Sequence, residues 1–468
     1  MSTEKSETGP AEGLEAFGYR QELKRSLSLF DLLVYGLVFI VPGAPIAVFG
    51  IVFNASHGMV PLVYVVGLVA MLFTALSYMA MARAIPVAGS VYAYAARGLG
   101  PFAGYIAGWA ILLDYLLLPA LNYVASAIAI HAAFHFVPAW LCVVVLLGIA
   151  TIVNYLGIES TARTNFVMLG LQLLLIVITM SVTLYALAHH VNGAHFSLRP
   201  FYQAGALKPS LIFGALSLAV LSFLGFDAIS TLSEESRGGS HAVARATMLS
   251  LCVAALLFVF QTYFLSLFVL DRTSFPVGEP ANAAAYNIAT LIGGYWLKFL
   301  MTVPGTLFAG LTGALTAQAA TARLIYSMAR DGKLPHALAH VEPARKIPDR
   351  AIFLVAIVTL AIGLVLVDKL ELLTSMVSFG ALVGFLLLHV SVMAYFLWRK
   401  KSDNWWRHLV VPLIGLAIIG YVLINAEANA KIAGLLWMAG GLMLYAALRF
   451  MGRSTALPVD DVPALHSD

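Results

Sequence analysis

Two carboxylates lie in the middle of apolar segments, where a charged group is costly. Asp227 belongs to a hydrophobic run that begins near Leu211, and Asp114 belongs to another such run. A charged side chain at the centre of a membrane helix costs about 2.5–3.5 kcal/mol on insertion scales. An unpaired buried carboxylate either binds a cation or takes up a proton. The two acids therefore suit a site that exchanges a proton for a cationic amine.

Both acids also have a structural explanation. A protonated Asp227 can hydrogen bond backbone groups that a helix break leaves free, and Asp114 can brace the third apolar segment against the tenth. Intramembrane acids are usually functional, although they are not always substrate ligands. Asp114 and Asp227 are therefore candidates both for substrate binding and for proton coupling.

Helix-breaking residues interrupt two of the apolar segments, and one break adjoins Asp227. Gly225 lowers the cost of unwinding the helix there, while Pro42, Gly43 and Pro45 interrupt the first segment. Each proline removes a backbone donor and disfavours helix in the residue before it. Unwound backbone inside a membrane is tolerated where protein or a water-filled cavity receives its polar groups. Paired breaks in corresponding halves of a chain indicate a transporter binding site.

The ends of such half-helices can contact a substrate directly. Carbonyl groups there are available to an ammonium, and N–H groups are available to a carboxylate. The backbone or hydroxyl groups expected to make these contacts belong to Val41, Gly43, Ala44, Ser222 and Gly225. Close packing of small residues is the alternative explanation for these positions.

Four aromatic side chains accompany the acids in sequence: Trp109, Tyr115, Phe223 and Phe226. In a desolvated site, a ring that stacks on a cation contributes about 2 kcal/mol. Plain packing is the commoner role of aromatic residues in membrane helices, and it stays open for each of the four. Phe226 is the favoured ligand because it adjoins the break.

Charged residues cluster where two apolar segments end. Ion pairing among them would close the site from the cytosol, and the cluster consists of Glu234, Glu235, Arg323, Arg330 and Asp331. Solvated charge at the ends of membrane helices is the alternative, since cytosolic loops are enriched in basic residues.

The composition is that of a polytopic membrane protein. Of the 468 residues, 61% are hydrophobic and 11% are charged, whereas about 25% are charged in an ordinary soluble domain. Two cysteines far apart in apolar segments predict neither a disulfide framework nor a metal site. The polar N-terminus is expected to be a cytosolic tail, because it lacks the apolar segment and cleavage site of a signal peptide.

Twelve apolar segments reach the length of about 20 residues that crosses a bilayer. We expect all-α architecture with spans near residues 28–53, 60–82, 101–130, 138–157, 164–188, 209–235, 245–270, 296–328, 351–368, 371–398, 408–426 and 431–451. With the N-terminus inside, 21 of the 27 basic residues lie in inner segments and 6 in outer ones. Both termini are therefore expected in the cytosol. The membrane that contains the protein is expected to be the inner membrane of the cell.

Two connecting segments are predicted to form helices outside the spans. Residues 85–97 would pack beneath the core or act in gating, and residues 281–293 would form an outer amphipathic segment that can act as a lid. His131 and His135 are four residues apart, but no third zinc ligand is evident.

Motifs for other functions are missing from the sequence. The phosphate-binding G-x-x-x-x-G-K-S/T loop and the G-x-S-x-G nucleophile elbow are both absent. We therefore expect no enzyme activity, no cofactor, no resident metal and no nucleic-acid partner. The expected partners are a small amine or amino acid, protons and the lipid bilayer.

Four segments resemble the amino acid–polyamine–organocation permeases. They are Pro86-Val-Ala-Gly-Ser-Val-Tyr-Ala-Tyr94, Gly108-Trp-Ala-Ile-Leu-Leu-Asp-Tyr115, Ser222-Phe-Leu-Gly-Phe-Asp227 and Ala322-Arg-Leu-Ile-Tyr-Ser-Met-Ala-Arg-Asp-Gly-Lys-Leu-Pro335. The resemblance runs in order over roughly residues 24–450. It implies secondary active transport by a leucine-transporter-like fold, with two inverted five-helix repeats followed by two more helices. By analogy with the family, Phe226 is a gate or a wall of the site.

The resemblance also implies the division of the chain. The expected parts are an N-terminal tail at 1–26, a transport core at 27–400 with repeats at about 27–190 and 207–400, two additional helices at 405–451 and a C-terminal tail at 452–468.

Within the family, the bacterial putrescine importers look the most similar, but this chain departs at one position from those importers and at another from several amino-acid members. Those importers carry an acid just before the Phe-Gly pair of the first span, where this chain has Ala47 and Val48 before Phe49. Several amino-acid members carry a lysine in the fifth span, where this chain has Gln172. We therefore expect proton-coupled import of putrescine or a related amine, with an amino-acid permease as the alternative. A non-transporting amine sensor is a third possibility.

Overall fold

A computed structural model describes residues 14–203, 205, 207–276, 279–366, 370–426 and 428–450. The regular secondary structure in these ranges consists entirely of helices. The first half of the chain forms α1 (Leu29–Ile40), α2 (Ala44–Ser56), α3 (Val60–Ala84), α4 (Ser90–Gly98), α5 (Pro101–Ala133), α6 (Ala139–Tyr155) and α7 (Ile158–Ala188).

The second half of the chain continues the helical pattern. It forms α8 (Pro209–Ala219), 3-10 helices at Val220–Phe223 and Phe226–Glu235, α9 (Gly239–Ser266), α10 (Glu279–Asn282), α11 (Ala284–Gly293), α12 (Tyr295–Arg330), α13 (Asp349–Val365), α14 (Leu370–Met393), α15 (Val411–Ile424) and α16 (Ala428–Phe450). Short π-helical turns at Ala394–Arg399 and Trp406–Val410 extend α14 and precede α15.

Every apolar segment predicted from the sequence falls on one or more of these helices. Nine helical segments in the described ranges are long and apolar enough to cross a membrane, and the bent pair α1–α2 forms a tenth candidate. Helices α6 and α13 have 17 residues each. The structure thus confirms an all-helical multi-pass membrane protein, while the number of twelve spans stays a prediction.

The break in the first segment lies at residues 41–43. A capping box starts α1, because Ser28 accepts from the N–H of Asp31 while the Asp31 carboxylate accepts from the N–H of Ser28. The helix ends at Ile40, Val41 adopts a φ of 62°, and α2 then leaves at an angle of 43° to α1. A β-branched residue with positive φ is strained. The surrounding structure must therefore hold this backbone in place.

The second break separates the two 3-10 helices. Leu224 is extended, with a ψ of 141°, and Gly225 has a φ of 117°. A Cβ atom at Gly225 would collide with the Phe39 ring. Glycine is therefore required here for its backbone conformation and for the close approach of α1, so the two breaks lie against each other.

Helix α5 carries Asp114 and Tyr115, and the Tyr115 hydroxyl reaches Asp227 at the second break. It packs against α12 and α14, and α3 packs against α9 on the other side of the broken segments. The predicted helix within residues 85–97 is present as α4, and it is buried against α5 and α14. The expected lid at 281–293 forms α10 and α11, which pack on α2.

The described part of the expected N-terminal tail is packed against the helices. Leu14, Phe17, Tyr19 and Leu23 are all buried. The expected C-terminal tail at 452–468 lies outside the described residues, as do residues 1–13.

Candidate functional site

The Asp227 carboxylate lies at the second break and is fully buried. Its Oδ2 atom accepts a hydrogen bond from the Tyr115 hydroxyl at 2.5 Å and a long one from the Tyr78 hydroxyl at 3.5 Å. Its Oδ1 atom accepts from the Gly225 N–H at 3.2 Å. One of these donors is backbone at the break, as the structural explanation of Asp227 expects. The other two are hydroxyls on α5 and α3, so the carboxylate joins three elements.

The Asp114 carboxylate is also buried, with 1% of its surface exposed, but its surroundings differ. Neither of its oxygens has a hydrogen-bond partner in the described structure. The backbone of Asp114 lies where α5 approaches Gly380 of α14 closely. The third and tenth predicted spans therefore touch through small residues and backbone, while the carboxylate itself makes no bridging hydrogen bond.

Asp114 and Asp227 belong to one electrostatic group. They lie close enough to interact with each other, and Tyr78 interacts with both. The four ion pairs found among the described residues include neither acid. Only neutral donors therefore stabilise the negative charge of this group.

At the first break, some backbone groups have hydrogen-bond partners, and open space lies beside Gly43. The Gln261 amide of α9 donates to the Pro42 carbonyl at 2.9 Å, which replaces a helical hydrogen bond. Ala44 donates its N–H to the Val41 carbonyl at 2.9 Å. A Cβ atom placed on Gly43 would meet no atom within 4 Å. Open space therefore adjoins Gly43.

Aromatic rings surround Asp227 and its donors. The Tyr115 ring lies 5.9 Å from the Phe39 ring. Phe226 packs between Tyr78 at 5.9 Å and Phe385 at 5.8 Å. Of the predicted aromatic ligands, Tyr115 and Phe226 are thus brought to the acids.

The other two predicted aromatic ligands pack elsewhere. Phe223 lies 5.7 Å from Tyr64 and 5.4 Å from Phe258, in the contact between α3 and α9. The hydroxyl groups of Ser222 and Tyr64 are hydrogen bonded to each other at 3.0 Å. These contacts tie the first half of the broken segment to α3.

Trp109 does not join the group around Asp227. It stacks on Trp437 at 4.8 Å, and each indole N–H donates to the backbone carbonyl of the other tryptophan at 2.8 Å. Its hydrogen bonds and its ring stacking tie α5 to α16, so the structure does not bring Trp109 to Asp227, and its binding of substrate stays a prediction.

The predicted charged cluster forms two buried ion pairs. Arg323 binds Glu235 in a bidentate manner at 2.5 and 2.9 Å, and Arg330 binds Glu234 at 2.8 and 3.1 Å. The Ala88 N–H donates to Glu234 as well, at 3.0 Å. Both glutamate side chains are 0% exposed. These charges are therefore buried and paired rather than solvated, and we call the four residues the ion-pair layer.

Asp331 contacts this layer through tyrosines. It accepts from the Tyr19 hydroxyl at 2.9 Å and from the Tyr92 hydroxyl at 2.7 Å. Arg97 donates to Tyr19 at 3.2 Å, and the Arg330 guanidinium lies 4.0 Å from the centre of the Tyr19 ring. Burial, with a smaller contribution from Asp331, raises the pKa of Tyr19 to about 12. Tyr19 therefore remains a hydrogen-bond donor at physiological pH.

The N-terminal segment 14–27 covers the ion-pair layer with backbone hydrogen bonds. The N–H groups of Ser26 and Leu27 both donate to the Glu235 carbonyl at 3.0 Å. The Gln21 amide donates to the Glu234 carbonyl at 2.9 Å. The segment thus binds the same two residues whose side chains form the ion pairs, so opening the layer requires moving the segment.

Sequence reasoning missed several polar residues of both regions. Tyr78 and Gln261 reach the breaks from helices that carry no charged residue at that level. Their neighbours in the sequence are mostly apolar, so the local sequence does not distinguish them. Tyr19 lies in a segment whose polar composition indicates a tail. The buried Leu14, Phe17 and Leu23 within that segment are the signal that could have predicted its packing.

Two further predicted features have a definite place. Gln172 of α7 donates to the Thr312 hydroxyl of α12 at 2.8 Å, so it joins two helices. His131 hydrogen bonds the Val137 carbonyl at 2.8 Å, and its ring lies 6.0 Å from that of His135. The described residues contain no group of three metal-ligating side chains.

Comparison with known proteins identifies the family of this chain. Residues 32–449 match the profile of the family described as amino acid permease. The chain belongs to the amino acid permease family. This family lies within the amino acid–polyamine–organocation superfamily, which confirms the resemblance found in the sequence.

Three transporters of the family illustrate the range of relatives. The low-affinity putrescine importer of Escherichia coli strain K12 is 34% identical over 95% of this chain and 98% of its own length. The branched-chain amino acid permease of Bacillus subtilis strain 168 is 26% identical over 91% and 93%. The methylthioribose transporter of the same strain is 27% identical over 93% and 96%. These relatives are all transporters, but their named substrates differ.

Proposed function

We propose that this permease imports putrescine or a related small amine together with protons, by alternating access. The observation that carries the proposal is Asp227, a buried carboxylate at a helix break that hydroxyl and N–H donors hold without a cation. An ammonium group supplies the positive charge that this site lacks. The similarity to the putrescine importer supports the same substrate class.

The residues around Asp227 suit an alkyl ammonium. The cation would bind the carboxylate, while the rings of Tyr115 and Phe226 would cover the adjacent methylene groups and contribute cation–π attraction. Val41, Gly43 and Ala44 would contact the substrate from the open side of the first break. Ser222, Phe223 and Gly225 would act less directly, by fixing the second break in place.

The direction of transport follows from the proposed orientation. With both termini in the cytosol, the ion-pair layer and the N-terminal segment close the cytosolic side. Release of substrate would then require the pairs of Arg323 with Glu235 and of Arg330 with Glu234 to separate, and Tyr19 to leave Asp331. A divalent cation gains about 4.6 kcal/mol for each 100 mV of membrane potential, inside negative, which drives uptake.

The proposed architecture contains twelve spans in the cell membrane. Repeats at about 27–190 and 207–400 form the transport core, 405–451 adds two helices, and 1–26 and 452–468 are the terminal parts. Support comes from the two facing breaks, which occupy corresponding places in the proposed repeats. The protein is then a transporter rather than an enzyme, with no cofactor.

An amino-acid permease is the second candidate, and one observation favours it. Ala47 and Val48 stand where the similar putrescine importers carry an acid, so the site has one carboxylate fewer for a second ammonium. The branched-chain amino acid permease among the relatives agrees with this alternative. A non-transporting amine sensor on the same fold would bind an amine without moving it.

Uptake into proteoliposomes tests the proposal. An inward proton gradient should accelerate the uptake of labelled putrescine, and Asp227→Asn should abolish uptake. Asp271→Asn makes the same chemical change on an exposed loop and should leave uptake unchanged. Competition by amino acids but not by diamines would select the alternative, and binding without flux would select a sensor. Putrescine uptake that ignores both the gradient and Asp227→Asn would refute the proposal.

A further inference from the structure

The two buried acids receive very different numbers of hydrogen bonds. Asp227 accepts from Tyr115, Gly225 and, at longer range, Tyr78. Asp114 accepts from no described group through either oxygen. Both side chains are almost completely removed from solvent. The two carboxyl groups are therefore chemically inequivalent, although each is an aspartate in the same electrostatic group.

This difference decides which acid carries the negative charge. A buried anion is stabilised by the donors that replace its water, and an O–H donor to a charged oxygen lies at about 2.5–2.7 Å. The bond from Tyr115 to Asp227, at 2.5 Å, matches that range. An anionic Asp114 would lack any such donor and would face a second negative charge. Two close carboxylates in such surroundings hold one charge rather than two.

The other titratable groups on helices packed against α5 do not change this balance. The basic side chains there are engaged or exposed away from Asp114, as follows: Arg323 with Glu235, Arg330 with Glu234, Arg97 with Tyr19, His389 with Ser77, Lys298 with Asn287, Arg350 with the Ala337 carbonyl and Lys431 with the Ile424 carbonyl, while Arg449 is exposed. The groups that interact with Asp114 electrostatically are Asp227 and Tyr78. A cation that would neutralise an ionised Asp114 is therefore not supplied by these residues.

We propose a division of labour in which Asp227 binds the ammonium of the substrate and Asp114 carries the coupled proton. This assignment rests on the proposed function and deepens it. Asp114 takes one proton from the outer solution, which leaves a neutral carboxyl group, and releases it to water on the inner side. The site can then close on both sides of the membrane only when it holds both the ammonium and the proton, because the ammonium neutralises Asp227 and the proton neutralises Asp114.

Infrared spectroscopy of the purified, substrate-free protein tests the protonation without a transport assay. The carbonyl stretching band of a protonated carboxyl group should be present at neutral pH in the wild-type protein. Asp114→Asn should remove this band, whereas Asp227→Asn, the matched substitution, should retain it. Loss of the band in Asp227→Asn but not in Asp114→Asn would overturn the assignment, and so would the absence of the band from the wild type.

Proton movement tests the coupling itself. In proteoliposomes that contain a pH-sensitive dye, putrescine added outside should acidify the interior with the wild type, and Asp114→Asn should lose this acidification. Acidification that persists in Asp114→Asn would overturn the assignment. If monoamines still acidify the interior with Asp114→Asn while putrescine uptake is lost, Asp114 binds a second ammonium instead, which would also overturn the assignment. A wild-type protein that takes up no amine would refute the proposed function, while the infrared result would still report on Asp114.

Discussion

The buried charges of this protein lie in two regions that differ in how they are balanced. In the ion-pair layer, each glutamate binds an arginine, and Arg323 holds Glu235 with two hydrogen bonds. At the breaks, Asp227 has hydroxyl and N–H donors, and Asp114 has no partner among the described residues. Each charge of the layer thus has a partner of opposite charge, whereas the two acids at the breaks have none among the described residues. Charge balance therefore distinguishes the two regions, in agreement with the proposed roles of the layer in closure and of Asp227 in binding.

The largest expected effect comes from unpairing the layer. Arg323→Gln leaves Glu235 buried without its cation, and breaking a buried ion pair in this way costs about 3–5 kcal/mol. We expect a large drop in the unfolding temperature of the detergent-solubilised protein. The double variant Arg323→Gln with Glu235→Gln removes both charges and should recover part of the loss. An unchanged unfolding temperature in the single variant would show that the pair is not buried as described.

The same kind of substitution at the breaks should act on binding instead. Asp227→Asn removes a charge that has no arginine or lysine partner in the described structure, so the unfolding temperature should stay the same or rise. Amine binding should weaken by about 10–100-fold, since hydrogen bonds to charged groups contribute about 1.5–3 kcal/mol. Calorimetric titration with putrescine measures the change. Destabilisation equal to that of Arg323→Gln would erase the distinction between the two regions.

A smaller effect is expected from the donor that holds Asp227. Tyr115→Phe removes the hydroxyl at 2.5 Å from the carboxylate and should raise the KM of amine uptake about tenfold, because a charged hydrogen bond of about 1.5 kcal/mol is lost. Tyr123 lies on the same helix and is equally buried, but its hydroxyl has no hydrogen-bond partner among the described residues. Tyr123→Phe is therefore the matched control and should leave KM unchanged. Equal effects of the two variants would argue for packing alone.

The smallest effect is expected at the N-terminal segment. Tyr19→Phe removes one neutral-to-charged contact with Asp331 while several other contacts of the segment remain. The loss of about 1.5 kcal/mol, the lower end for a hydrogen bond to a charged group, should increase the exposure of the segment by up to about tenfold, because the other contacts remain. A cysteine introduced at the buried Ser26, with Cys142 and Cys252 replaced by alanine, would report this as faster thiol labelling. Labelling at the wild-type rate would show that Tyr19 does not help to hold the segment.

The sequence predicted the elements of the site better than its contacts. Glycine and proline at the breaks have direct backbone consequences, so the interruptions at Gly43 and Gly225 could be located without coordinates. A carboxylate in an apolar segment is equally conspicuous, which made Asp114 and Asp227 visible. Their different surroundings were not predictable, because Tyr78 reaches Asp227 from a helix distant in sequence.

Side-chain direction limited the remaining predictions. Trp109 and Tyr115 lie on one helix, yet Trp109 turns to α16 while Tyr115 turns to the break, and helical spacing alone does not identify the neighbour of each face. The packing of Tyr19 depends on contacts with Arg97, Arg330 and Asp331, which lie far apart along the chain. Such long-range contacts are set by tertiary packing and leave little trace in local composition.

The most direct test of the central claim is an experimental structure of the protein with putrescine bound. We expect an ammonium nitrogen about 2.7–2.9 Å from the carboxylate of Asp227, the distance of a charge-assisted hydrogen bond. The rings of Tyr115 and Phe226 should contact the methylene groups beside it. Putrescine bound elsewhere, with the Asp227 carboxylate still held by its hydroxyl and N–H donors alone, would contradict the account.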